Sequence, residues 1–288
     1  MRQRRLIPLI ALLSLLALVG AACGEDTVTP GGTPTTSPAE EIPEFTTIED
    51  GTLKVGSCLD YPPFESVVDG DETGFDVDLT EEIASRLDLE VEWVTANFDT
   101  IFTAVAGGSQ FDMVAAAVTA TGPDGVERDQ VVDFSDFYFN SRTALTVNTE
   151  ETPDLVSIDD LGEGDIVGVQ SGTTGATYAE EHVPEGVEIK TFRGAPAAFT
   201  DLEAGQVTAV VNDEQSSVEI IAERPSLAIV ETYDTNEKYA FAFSPDSPEL
   251  IEAVNIVLAE IIADGTYAEI FAEYFPGQEV PEEFQGSA

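Results

Sequence analysis

Positive charge is scarce in this sequence of 288 residues: 11 lysines and arginines face 56 acidic residues, and there is one histidine. The net charge of −45 makes nucleic acid or an anionic surface a poor partner for the chain as a whole. Such self-repulsion suits an ion-rich setting that screens it, and it equally suits a very soluble acidic secreted protein. The single histidine, His182, lies in a stretch that reads as an exposed helix. That argues against a Ser-His-Asp or Cys-His catalytic centre. No phosphate-cradling glycine loop and no credible metal-ligand spacing occur, so no cofactor and no metal are expected. Paired carboxylates are not excluded by counting among so many acids. Cysteine is limited to Cys23 and Cys58.

What is present begins with Arg2, Arg4 and Arg5, followed by the apolar run from Leu6 to Ala22. Gly20-Ala-Ala22 then precedes Cys23. Basic front, apolar run and small residues form the layout of an export signal. The run is at the short end for a spanning helix, which needs ~20 apolar residues. Cys23 after the small residues resembles a bacterial lipoprotein lipobox. The resemblance implies loss of residues 1–22, acylation of the Cys23 thiol, and a cell-surface or periplasmic protein lipid-anchored to the membrane. Residues 23–47 include Thr27–Pro38 (TVTPGGTPTTSP), which cannot build a core and reads as a disordered tether. With Cys23 acylated, Cys58 has no internal partner, and the fold must rest on its core. Cys58 reads as a small buried side chain.

From Thr52 onward strands and helices alternate. The patterns predict strands at Leu53–Gly56, Val91–Val94, Phe111–Val118, Ala144–Val147, Ile166–Val169, Ile189–Phe192, Thr208–Val211, Leu227–Val230 and Tyr239–Phe243. They predict helices at 77–87, 100–106, 172–181, 195–204, 214–222, 248–263 and 266–274. This is an α/β fold with mostly parallel sheets. The pattern appears twice, giving lobe 1 from 48–142 plus 238–280 and lobe 2 from 143–237, with a tail at 281–288. Two crossings, near 140–147 and 236–243, make a hinge with a cleft in a monomer.

The stretch from Asp112 to Tyr138 organises the cleft. Its apolar run Met113–Val118 reads as a strand buried on both faces. Thr119 and Thr121 then stand at a carboxyl strand end, where open α/β sheets put their ligands. Arg128 follows, in a chain nearly stripped of positive charge. Its planar fork suits a carboxylate.

Six segments carry a resemblance: Gly51–Gly56, Tyr61-Pro-Pro-Phe-Glu65, Gly74–Leu79, Val132-Asp-Phe-Ser-Asp136, Gln170-Ser-Gly-Thr-Thr174 and Asp264-Gly-Thr-Tyr267. In this order, over residues 52 to 275, they resemble the extracellular solute-binding proteins, family 3, which deliver polar amino acids to ABC importers. The resemblance implies a two-lobed fold of the type II periplasmic-binding-protein kind. It also implies a free amino acid as ligand, and a permease with its ATPase as partners. An enzyme of this fold, such as a dehydratase, and a ligand-sensing domain are the alternatives. No apolar span follows residue 275.

The resemblance also suggests roles. Arg128, six residues before Phe134, would grip the α-carboxylate, joined by the hydroxyl of Thr119. The link Gly122–Val126 is longer than the family's, which leaves Thr121 as a competitor. Gly172–Gly175 at a helix start favours an anion through exposed N–H groups. Thr174 resembles a ligand-facing position, and one of Thr173 and Thr174 would cap the helix. Asp213, after a buried strand, would pair with the α-ammonium. Tyr61 and Phe98 would wall the ligand side chain. Gln170 would vary with ligand choice, and Asp60 would favour a basic side chain.

Overall fold

The computed structural model describes residues 41–286. The signal segment, Cys23 and most of the tether lie outside the described residues. Two five-stranded sheets form the two lobes.

The first lobe starts with β1 (Thr52–Ser57), then the small meander β2 (Asp60–Tyr61), β3 (Glu65–Val68) and β4 (Asp71–Thr73). Helix α1 (Phe75–Arg86) presents Val77, Leu79 and Ile83 to the core. Next come β5 (Glu90–Thr95), α2 (Phe98–Ala106), β6 (Met113–Val114), α3 (Gly122–Arg128) and β7 (Asp133–Phe134). The long β8 (Phe139–Asn148) crosses into the second lobe. That lobe adds β9 (Ile166–Gln170), α4 (Thr174–His182), β10 (Glu188–Phe192), α5 (Ala195–Glu203), β11 (Ala209–Asp213) and α6 (Glu214–Ile221). The return strand β12 (Leu227–Tyr239) leads to β13 (Ala242–Phe243), α7 (Pro248–Asp264) and α8 (Thr266–Tyr274).

The first sheet has the order β5-β1-β6-β13-β7, the second β10-β9-β11-β8-β12. Each is parallel in one half, β5-β1-β6 and β10-β9-β11, as expected of strands joined by helices. Each is antiparallel in the other half, because β8, β12 and β13 belong to the chain's crossings. Phe64, Phe75, Phe139, Tyr239, Phe271 and Phe275 pack where these crossings meet α8, with ring centroids as close as 4.8 Å. This aromatic mass anchors the base of the hinge without a disulfide; Cys58 is free.

Four local expectations change. The apolar run Met113–Val118 is buried throughout, but only Met113 and Val114 are strand. Asp76 takes the N–H of Ala117 at 2.8 Å, and Ala117 turns to a φ of 48°, so the ladder stops. The link Gly122–Val126, read as a loop, lies within helix α3, with proline in its first turn where the missing N–H costs nothing. The strand expected at Leu227–Val230 runs on to Tyr239. The tail is not detached at its start: Phe284 is buried against Tyr267, with centroids 5.4 Å apart.

Candidate functional site

A small cavity is lined from both lobes. The first contributes Cys58, Tyr61, Glu65, Phe98, Ala116, Ala117, Thr119 and Arg128. The second contributes Gln170, Thr173, Thr174 and Asp213. Most follow the carboxyl ends of β1, β6, β9 and β11, the end at which open α/β sheets gather ligands.

Arg128 closes α3 and is 7% exposed. Its guanidinium donates to the carbonyl of Thr119 at 2.7 Å and to that of Gly172 at 3.1 Å, one on each side of the cavity. It also sits over the rings of Phe98 and Phe102, 5.4 and 4.9 Å from their centroids. Burial lowers its pKa. Among the described residues it has no ion-pair partner. The longer link is absorbed by α3, which brings Arg128 to the cavity that its spacing suggested.

Asp213 ends β11. Burial first, then Glu237, push its carboxyl up to about 7, while the hydroxyls of Tyr239 and Tyr61 and the charge of Arg128 pull it back. The Tyr61 hydroxyl donates to Asn212 Oδ1 at 3.1 Å, from the first lobe to the second. A buried cation and a buried anion thus share one enclosed space without neutralising each other directly. Such a pair can hold the two ends of a zwitterion.

The two threonines at the start of α4 divide their tasks. Thr173 caps the helix, accepting from the Ala176 N–H at 3.2 Å and donating to the Gln170 carbonyl at 2.9 Å. Thr174 donates to Glu237 Oε2 at 2.7 Å. Gly172 has a φ of 77°, and a Cβ there would sit 3.1 Å from Asp99 Cα, so glycine permits the lobes to approach.

The placement of the other expected residues varies. Thr119 lines the cavity but donates its hydroxyl to Glu237 Oε2 at 2.8 Å. Its oxygen therefore offers lone pairs, which suit an ammonium and not the carboxylate expected for it. Thr121 stands outside: it donates to the Asn236 carbonyl and accepts from the Lys238 N–H, each at 3.0 Å, and so ties the loop to β12. Asp60 also stands outside, on a neighbouring cleft with Arg193 and Gly194. Burial raises its carboxyl, and Arg193 lowers it.

Two carboxylates escaped the sequence reading. Glu65 is 1% exposed, lines the cavity, and neither of its oxygens has a partner. Burial, then Asp76, Asp60 and Asp213, push it well above the carboxylate range. Gln170 Oε1 is likewise buried and unpartnered. Unpaired buried acceptors are costly unless a donor arrives. Glu65 stood in the segment Tyr61–Glu65, so a signal existed. Glu237 had none. Among the described residues no group of histidine, cysteine and acids is arranged to hold a metal ion.

Residues 53–277 match the family described as bacterial extracellular solute-binding proteins, family 3. A probable histidine-binding protein of Campylobacter jejuni is 33% identical over 225 residues, covering 77% of this chain and 84% of its own. An ancestral arginine-binding protein solved with arginine superposes with a TM-score of 0.71 at 35% identity, covering 78% of this chain and 98% of the other. An ancestral amino-acid-binding protein, a precursor of cyclohexadienyl dehydratase, gives 0.71 at 34% identity, covering 78% and 96%.

Proposed function

Because the chain belongs to the bacterial extracellular solute-binding proteins, family 3, a family of amino-acid binders, we propose that it captures a free amino acid with a cationic side chain and delivers it to the permease of an ABC importer. The observation that carries this reading is the charge layout of one cavity: Arg128 for the carboxylate, Asp213 for the α-ammonium, and the unpartnered Glu65 for a third, positive group. Tyr61 and Phe98 supply ring faces against the stem between them. The names of relatives that bind histidine, or lysine, arginine and ornithine, agree with it.

In this mechanism the ligand docks on one lobe, and closure of 48–142 plus 238–280 against 143–237 buries both its ends. Each buried charge is costly alone and matched once the ligand arrives, so the closed form that the permease reads is favoured by ligand. The protein works as a monomer held to the membrane through Cys23 and its tether. Asp60 and Gln170 would tune selectivity from the rim and the wall.

A thermal-shift screen against the free amino acids tests the reading. Arginine, lysine, ornithine or histidine should give the largest rise, and a ligand at ~100 times its dissociation constant adds about 2.7 kcal/mol. Glu65→Gln should lower the preference for these over glutamine. A preference of the parent for an acidic or aliphatic amino acid refutes the cationic assignment.

A second reading, a dehydratase, draws on the likeness to the dehydratase precursor and on an enclosed acid, Glu65, whose pKa burial raises. Mass spectrometry of the ligand after incubation separates the two: an unchanged amino acid supports binding, and a dehydrated product supports catalysis.

A further inference from the structure

Glu237 is 5% exposed and sits on β12, the second strand to cross between the lobes. The pairing of β12 with β8 is irregular between Tyr233 and Glu237, where Asn236 has a φ of 53°. A bulge of this kind redirects the side chain that follows it. The carboxylate accepts four threonine hydroxyls from four places in the chain. Oε2 receives Thr119 at 2.8 Å and Thr174 at 2.7 Å; Oε1 receives Thr143 at 2.8 Å and Thr235 at 2.6 Å. Two oxygens with two donors each satisfy a carboxylate's acceptor capacity.

The two donors on Oε2, Thr119 and Thr174, belong to residues that line the cavity from opposite lobes. Thr119 is itself tied to β12, since its segment pairs with Lys238–Ala240 through the Ala120 N–H and the Val118 carbonyl. Thr174 begins α4 on the far side. A hydroxyl has one proton. Once that proton is given to Glu237, each oxygen can turn only lone pairs to the cavity.

We propose that Glu237 is the positioning residue of this site: by taking the hydroxyl protons of Thr119 and Thr174 it makes both oxygens acceptors for a ligand ammonium, and it joins the lobes through the same two bonds. This rests on the amino-acid-binding reading above and deepens it. Glu237 itself need not touch the ligand. A closed site then has its polarity fixed in advance, with donors at Arg128 and acceptors at Asp213, Thr119 and Thr174. A reversed zwitterion would meet donor against donor.

The test is calorimetric titration of parent, Glu237→Gln and Glu237→Ala with two probes, arginine and its analogue lacking the α-ammonium. Glutamine can keep its carbonyl toward Thr119 and Thr174 while its amide donates to Thr143 and Thr235, so it should bind arginine within about fivefold of the parent. Alanine frees the hydroxyl protons and should weaken arginine by about 30-fold while leaving the analogue nearly unchanged. If Glu237→Ala does not fold, Thr174→Val reads the same selective loss with three of the four bonds intact. Equal loss of both probes marks a merely structural carboxylate and overturns the proposal. So does a Gln variant as weak as the Ala variant, which would make the charge, not the geometry, decisive. Failure of the parent to bind arginine counts against the cationic reading alone. The amino acid that the thermal screen selects then replaces arginine in the same titration.

Discussion

Tyr239 donates its hydroxyl to Oδ2 of Asp213 at 2.5 Å, which ties the strand returning to the first lobe to the carboxylate at the end of β11. The bond favours the charged carboxylate, against the burial and the nearby Glu237 that push it up to about 7. A ligand ammonium also favours the charged form. Binding below about pH 7 must therefore release a proton, and affinity should rise with pH and level off above about 7. Titration in two buffers of different ionisation heat measures the proton directly. An affinity that is flat between about pH 5.5 and 8 contradicts the role given to Asp213. Tyr239→Phe removes a bond that favours the charge, so the rise should move to higher pH and binding at neutral pH should weaken about tenfold.

A second carboxyl gives a stability test without ligand. Asp76 Oδ2 accepts from the Ala117 N–H and the Tyr138 hydroxyl, each at 2.8 Å, while Oδ1 has no partner. Burial outweighs these bonds and raises the group to about 7. The sign follows from linkage. Between about pH 7 and the unfolded value near 3.9, the folded chain holds a proton that the unfolded chain gives up. Acidification from about pH 8 to 5 should thus stabilise the protein, by up to about 1.4 kcal/mol per pH unit from this group. Falling net charge acts in the same direction, so the comparison needs Asp76→Asn in high salt. Denaturant melts should show a flatter pH dependence for the variant. Parallel curves would mean that Asp76 does not titrate in this range.

The sequence carries this fold unevenly, for physical reasons. Helix α7 is legible because Leu250, Val254, Val257, Leu258 and Ile261 repeat at helical spacing and are buried as that spacing requires. The run Met113–Val118 misleads because an apolar composition reports burial and not backbone. Its ladder is broken by Asp76, a side chain far back in the chain. Gly122–Val126 reads as a lengthened link, yet proline at a first helical turn is compatible with α3. Arg128 and Asp213 stood out, one by the rarity of its charge and the other by its place after a strand. Glu237 could not stand out among 56 acids. Its meaning lies in threonines at 119, 143 and 174, which only the fold assembles.

The proposed anchor has its own test. Cys23 follows Gly20-Ala-Ala22 and an apolar run. Cys23→Ser should release the protein from the membrane fraction or leave it unprocessed at higher mass. Unchanged size and unchanged membrane retention, read by fractionation and mass spectrometry, speak against acylation.

Arg128 and the ligand carboxylate give the sharpest test of the site. Arg128 is buried, spends two donors on the carbonyls of Thr119 and Gly172, and stacks over Phe98 and Phe102. The carbonyls and rings hold the fork in place but do not neutralise it. A ligand carboxylate would. Removing one member of a desolvated charge pair costs roughly 2–5 kcal/mol, much of it from stranding the other charge. Arg128→Ala should weaken binding by that amount while the protein still melts cooperatively. Arg128→Lys should recover only part, since an ammonium cannot bridge both carbonyls and a carboxylate with planar geometry. Arginine amide, whose carboxylate is masked, separates binding from packing. It should bind the parent far more weakly than arginine, yet bind Arg128→Ala almost as well as arginine does. If the amide binds the parent as tightly as the free amino acid, the guanidinium is not the carboxylate site, and Arg128 serves only to hold the Thr119 and Gly172 carbonyls together across the cavity.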